Sequence, residues 1–576
     1  MTESFDIIVL GSGIAGSQLA LVLQQAGLKT LCVERKTHPR FAIGESTVPT
    51  TSFLLKQMAT DYNVPELAQI AHYLGLREIG CPAWPKQGFW HGSHREGERL
   101  AVTSEQFLET LHLPIGPDVH VMRAHADAYL VAAFAKYGVS YEDNTEMVDF
   151  EATPSGIRVK LVGPAGERTV GAHLLVDASG HASFLANRFG LRDAEPRLAT
   201  NTRSIFSHFK NVPPLDERLG GCNPSFRFRR DAATMHHQFR GGWIWVIPFD
   251  TGVTSVGIEL DRSLYPLDES ISPQDEIAKL FERYPTIADH LSAMEPVRPI
   301  VRTDRIQFTA SSILGNGFIL TPHAAGFVEP LYSTGILLTS LFISRFVPLA
   351  LEAKASGNWQ PEQFRVIEQS FFDELRQVDM VVDGSIKTFH HAELFKQFWR
   401  NWTIGIVAHL ADCVLVGRAP RRAIMLGAGL PEFSAHLARM YTAIRACRTD
   451  ADADALAVRM HHETQPWWDR IAAPLMSCAH AAPGADGASA SYANRDVQQN
   501  LDWLEKMRDQ PETSRPDMSF KQATRWMSHA ARSQSDQLER YARSRAEGSD
   551  YHVAYERILG QHNRPRFDYH DEVGMR

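Results

Sequence analysis

The spacing of apolar residues changes along the chain, and each change predicts a different architecture. Residues Phe5–Leu10 are nearly all apolar; glycines follow, and then apolar positions recur every three or four residues to about Gln25. A second short apolar run covers Leu28–Val33, so the chain is predicted to begin with strand, helix and strand, a βαβ unit. From about 140 to 177, IRVKLV and ERTVGAHLLVDA predict short strands. Residues 200–300 are predicted to be β-rich, on the aromatic alternation of FRFRR, HHQFRGGWIWVIPF and VTSVGIEL. Past Gly335 the period becomes helical, in GILLTSLFISRFVPLALEA and QSFFDELRQVDMVV, and stays so. The small residues of 479–494 predict an exposed loop or linker. The polar but periodic remainder predicts helices packed on the body.

Composition narrows the class. A chain of 576 residues exceeds one simple core, and at roughly 150 residues per domain two to four units are expected. With 44% apolar and 22% charged residues, a core of ordinary size is expected and bulk disorder is not. The net charge of -8 and pI near 6.3 argue against nucleic acid as partner, because phosphate binding relies on clustered positive charge. Six cysteines (Cys32, Cys81, Cys222, Cys413, Cys447, Cys478) show no CxxC spacing. That favours free thiols in a reducing cytoplasm over a disulfide framework or a zinc site. The opening MTESFDIIVLG lacks a basic segment and its apolar run is of strand length, so no signal peptide is expected. The apolar stretches from Gly335 and Trp402 are broken by Arg345 and by His409 and Asp412. Both fall short of the roughly 20 apolar residues a membrane span needs, and buried helices in a cytoplasmic protein are expected.

The chemistry starts at Gly11-Ser12-Gly13-Ile14-Ala15-Gly16, between the first strand and the helix. The first glycine allows the tight turn, the second a close approach of backbone to pyrophosphate, the third close packing of helix and strand. Free N–H groups at Ile14 and Ala15 and the positive helix end suit phosphates. Glu34 ends the second strand at the distance expected of a ribose ligand. Arg123 and Asp127 stand four apart on one helix face, and Asp177 and Gly180 end an apolar strand. Taken alone these read as a surface ion pair and a turn. Together they resemble the secondary FAD motifs of hydroxylase-like flavoproteins, which implies Arg123 near the pyrophosphate. GAG at 427–429 lacks a third glycine and precedes Pro431, so it is read as a loop. The adjacent pairs His236-His237 and His390-His391 lack the spacing of a helical zinc site.

Three further segments resemble the flavin-dependent halogenases, over roughly residues 1–350. Gly44-Glu45-Ser46-Thr47-Val48-Pro49 is similar to the family's flavin-contacting strap. Trp243-Ile244-Trp245-Val246-Ile247-Pro248 matches WxWxIP, and Phe327–Gly335 matches FxxPxxSxG. The resemblance implies an α/β fold in which a Rossmann-type FAD-binding domain is interleaved with a β-rich substrate part. That core is expected over 1–350, with the β-rich part at about 190–300, and a mainly helical region over 351–576 covering the substrate pocket. It implies FADH2 supplied by a partner flavin reductase, and oxidation of chloride or bromide to hypohalous acid. By the same resemblance Trp243 and Trp245 keep substrate from the flavin and exclude water, and the Thr334 and Gly335 amides hold halide. Lys86 in PAWPKQGFWHG then handles the oxidant by hydrogen bond or as a haloamine, with burial making its neutral amine accessible; Lys56 is a poorer choice.

Three positions depart from the family pattern. Pro82 stands where FxxPK has Phe. Tyr332 replaces the Glu that tryptophan halogenases carry before Ser-Thr-Gly, which favours a phenol or pyrrole over an indole, free or bound to a carrier protein. His323, in Thr321-Pro322-His323-Ala324-Ala325-Gly326, replaces the Asp that contacts the ribityl chain. An aromatic hydroxylase on the same fold, or a degenerate flavin-binding protein, stands as the alternative.

Overall fold

Ile7–Leu10 is apolar at every position because it is the middle of a parallel sheet covered on both faces. In this computed structural model, which describes residues 3–473 apart from 110–117, 154–155 and 227, its neighbours are Thr30–Val33 and Leu174–Asp177, both parallel. The full order is Leu314–Gly315, Phe318–Leu320, Leu174–Asp177, Ile7–Leu10, Thr30–Val33, Ser140–Glu142. The predicted βαβ start is present, with the helix at Ile14–Gln25. Each strand begins two residues later than the apolar runs suggest. Phe5 N donates to Gly171 O on another element, and Leu28 N donates back to Leu23 O across Gly27, whose φ is +89°. Leu28 thus closes the helix before the strand begins.

Glu146–Thr153, Gly156–Gly163 and Gly166–Ala172 form an antiparallel layer, as the alternation predicts. The β-rich middle forms a second, larger sheet, in the order Glu295–Pro296, Thr202–Lys210, Thr254–Asp261, Gly242–Pro248, Thr234–Phe239, Gly88–Ser93, Glu105–Glu109. Its two faces have different tasks. Trp90, Met235, Ile244 and Val246 pack with Phe281, Tyr284 and Ile287 in one core. Phe89, Trp243, Trp245 and Ile247 belong to the main core, which also holds the first sheet and the helical region. Alternation along a strand makes this division possible.

Thr334–Ser356 is long and apolar enough to cross a membrane, yet 83% of its most apolar window is buried inside the protein. It packs on Ile14–Gln25 and Pro49–Asp61. Arg345, the charge that interrupts it, pairs with both oxygens of Glu374 (2.9 and 2.7 Å) and donates to Pro420 O and Arg422 O. The charge therefore ties this helix to Arg365–Thr388 rather than facing solvent. Ala392–Val416, Pro431–Ala446 and Asp450–Trp467 continue the helical region. GAG at 427–429 follows a short turn with Gly427 at φ +78°, a loop as expected. The predicted linker at 479–494 and the helices beyond it lie outside the described residues.

A Cβ on Gly16 would sit 1.8 Å from Gly11 O, a backbone atom that cannot swing aside. Gly16→Ala is therefore expected to cost about 3 kcal/mol, the upper part of the overpacking range, and urea unfolding should show a correspondingly lower midpoint.

Candidate active site

The glycine turn has the shape of a phosphate cradle. Gly11 sits at φ +98°, where a side chain would also meet Ala178 O at 2.7 Å. Gly13, at φ -64° and ψ -175°, differs: a Cβ there would meet only Arg40 Nη2 at 3.7 Å and Asp127 Oδ2 at 3.9 Å. The space is open, lies at the uncapped start of Ile14–Gln25, and has no acidic residue in the first helical turn, so an anion fits. Glu34 is buried beside it, accepting from Ser12 N (2.9 Å), Ser12 Oγ (3.1 Å) and Arg40 Nη2 (3.0 Å). Burial alone would raise its pKa, but Arg40 and the N–H donors of Ser12 and Lys36 hold the carboxyl below the usual range. The residues present fit FAD.

Arg123 and Asp127 are a buried pair, not a surface one. Arg123 Nε and Nη2 donate to the two Asp127 oxygens at 2.9 Å each, and Nη1 donates to Ile43 O and Gly44 O (3.0 and 3.4 Å). Arg123 thereby anchors the strap. Asp177 accepts from Ser179 N and Leu185 N (2.9 and 2.8 Å), which orders the turn after its strand. Gly326 packs against Phe308 O, Leu375 and Phe371.

The strap runs from this cradle to Lys86. Glu45 O and Thr47 N bond Val121 N and Val119 O, pinning the strap to Asp118–Val121. Lys86 Nζ, fully buried, donates to Thr47 O at 2.7 Å and to Ser46 Oγ at 3.0 Å, and lies 3.7 Å from the centre of the Phe89 ring. Ser46 Oγ bonds Thr234 Oγ1 (3.0 Å), which in turn lies 2.9 Å from His120 Nε2. Burial pushes Lys86 down from 10.5 to about 7, although the Asp118 carboxyl pulls it up. Asp118 stands opposite Lys86 in the Ala83–Lys86 and Asp118–Val121 strand pair. Burial raises it to about 7 against the pull of Lys86, Ser52 and Lys56. Sequence reasoning missed Asp118, because nothing before the strand register pairs it with Lys86.

Trp243 and Trp245 share one face, ring centres 5.9 Å apart. Trp245 lies over Gly257, where a Cβ would meet its indole at 2.0 Å, and donates to Ser255 Oγ. Trp243 Nε1 donates to Glu329 Oε1 at 2.6 Å, and Leu331 N donates to Oε2 at 2.7 Å. Glu329, in the FxxPxxSxG segment but unassigned from it, therefore ties the tryptophans to the turn that leads into Thr334. Burial pushes both Glu329 and its neighbour Glu259 up. The Trp243 and Leu331 donors oppose that rise at Glu329, as Ser204 and Thr202 do at Glu259, which the Glu329 charge pushes up further.

Thr334 and Gly335 open a 23-residue helix whose N-cap, Ser333, is left-handed (φ 54°) and makes no side-chain cap bond. Their amides are thus free of capping by Ser333, the condition for holding an anion. His323 packs against this start: a Cβ on Gly335 would sit 2.9 Å from His323 Nε2. Burial, with Arg123 adding to it, lowers His323 to about 4, so it is neutral at physiological pH.

Aromatic rings from Ala392–Val416 roof Lys86. Trp402 makes an edge contact with Phe89 (4.9 Å) and stacks on Tyr332 (4.8 Å), while Trp399 meets His91 at 4.5 Å. His91 stacks on His236 (4.4 Å), which stacks on Trp243 (5.1 Å). His237 points to the opposite face and bonds His94 and His290. The roof carries an energetic debt: Trp399 Nε1, Trp402 Nε1 and His91 Nε2 are buried without a hydrogen-bond partner among the described residues, each costing about 1–3 kcal/mol.

A family model described as tryptophan halogenase matches residues 60–399. Monodechloroaminopyrrolnitrin halogenase PrnC of Pseudomonas fluorescens is 33% identical over 417 residues, covering 70% of this chain and 72% of the relative. Tetracycline 7-halogenase of Kitasatospora aureofaciens is 32% identical over 410 residues, covering 69% and 72%. Among solved structures, halogenase PltM in complex with phloroglucinol and FAD aligns with a TM-score of 0.74 at 27% identity, over 81% of this chain and 97% of that one.

Because the space at Gly13 is open to a side chain, Gly13→Val should fold normally yet lose flavin. Unchanged circular dichroism with absent flavin absorbance is expected; flavin that co-purifies as with the parent would refute the cradle.

Proposed function

The chain belongs to the tryptophan halogenase family and is an FAD-dependent halogenase, and we propose that it transfers chlorine or bromine to an electron-rich phenol or pyrrole through Lys86. Bound FAD, in its reduced form and with oxygen and halide, supplies hypohalous acid and water. The hydroxylase and non-catalytic alternatives do not fit this family membership.

The observation that carries the role of Lys86 is its setting: a fully buried amine on two acceptors and an aromatic ring, driven down to about 7. At that value the neutral amine is populated near physiological pH, and it can hold the oxidant at the substrate end of the site. Trp243 and Trp245 keep the aromatic substrate from the cofactor and exclude water. The amides of Thr334 and Gly335 hold the halide, and Arg123 positions the strap between cradle and lysine. Because Lys86 and the rings above it are buried, substrate reaches Nζ by displacing part of the Trp399–Trp402 roof. Tyr332 supports a substrate other than indole, as do a relative named for aminopyrrolnitrin, another named for tetracycline, and a solved neighbour holding phloroglucinol. A flavin reductase in the same cytoplasm supplies reduced flavin, and the aromatic arrives free or on a carrier protein.

Lys86→Ala should consume oxygen and reduced flavin at the parent rate while yielding no organohalide by mass spectrometry; halogenation at the parent rate would exclude Lys86. Asp118→Asn tests the electrostatics. The carboxylate favours the charged amine, so its removal should let Lys86 lose its proton at lower pH. The rising limb of halogenation against pH, centred near 7 in the parent, should move to lower pH, with flavin reoxidation unchanged.

A further inference from the structure

The unpaired groups in the roof are donors. Gln238 Nε2 lies 2.8 Å from His91 Nδ1, and an amide nitrogen can only donate, so Nδ1 accepts and the ring proton sits on Nε2. His91 Nε2–H therefore joins the indole N–H groups of Trp399 and Trp402, all three on rings at least nine-tenths buried and without an acceptor among the described residues. The three rings are contiguous: His91 meets Trp399 at 4.5 Å, and Trp399 stacks on Trp402 at 6.1 Å. Trp402 then touches Phe89, whose ring carries Lys86 Nζ. Gln106, opposite His91 in the strand pair, adds a single unpaired acceptor, Oε1.

We propose that His91, Trp399 and Trp402 form the specificity site for the substrate, and that they select an aromatic ring bearing an acceptor oxygen of the nitro, carbonyl or phenolate class. This rests on the reading of Lys86 as the group that meets the substrate. An aromatic that offers oxygens satisfies buried donors that the apolar roof otherwise strands. A ring of the same size without them leaves every donor unpaired, which is the arrangement that discriminates most strongly between substrates. Stacked indoles also suit an aromatic guest better than a bare ion, since ring edges and faces both find partners.

The test is calorimetric titration of the full-length, FAD-loaded protein with nitrobenzene and with toluene, a ring of similar size lacking the oxygens. The parent is expected to bind nitrobenzene at least about tenfold tighter. The Trp399→Phe/Trp402→Phe double variant keeps an aromatic ring at each position and removes two of the three N–H donors, leaving that of His91, and should lose most of the preference for nitrobenzene, with toluene affinity unchanged. A parent without preference overturns the proposal, as does a double variant, retaining its FAD, whose preference is undiminished. Competitive displacement of nitrobenzene by chloride would also overturn it, by making the donors a halide site. Binding is read without turnover, so the outcome is independent of whether Lys86 transfers halogen, which the Lys86→Ala assay decides separately.

Discussion

A lysine amine held away from water is the constraint on which the rest of this site depends. Moving Lys86 from 10.5 to about 7 corresponds to roughly 5 kcal/mol against its charged form, and such a group needs acceptors fixed in place. Thr47 O and Ser46 Oγ provide them, and both come from the strap. The strap is itself held from the other side, by Arg123 on Ile43 O and Gly44 O. One short segment thus links the dinucleotide cradle to the buried amine.

Glu329 performs a similar joining task. It binds the indole of Trp243 with one oxygen and the Leu331 amide with the other, so the tryptophan face and the turn before Thr334 keep a constant separation. Its buried neighbour Glu259 is pushed up by burial and by the Glu329 charge beside it. Beyond these, the site is bounded by rings in contact, from Phe89 through Trp402 to Tyr332 and from His91 through His236 to Trp243. Rings packed in this way have few alternative arrangements, which keeps Lys86 dry.

The sequence by itself determined whatever depends on local pattern. The glycine turn, the βαβ start, the tryptophans on one strand face and the buried helix from Thr334 all follow from spacing and from what glycine permits. The resemblance of the strap, WxWxIP and FxxPxxSxG segments was enough to point to the halogenases, and the family match agrees. What the tertiary structure decided were pairings between residues far apart in the chain. Asp118 faces Lys86 only through an antiparallel register, Arg123 grips the strap 79 residues away, and Glu329 reaches Trp243 across 86 residues. Trp402, read as the start of a buried helical stretch, and Trp399, which the sequence did not single out, become a roof over Lys86 only because their helix docks on the Phe89 face of the large sheet. Periodicity tells which side of an element is buried, but the partner on that side depends on how separate elements pack, and that is a property of the whole fold.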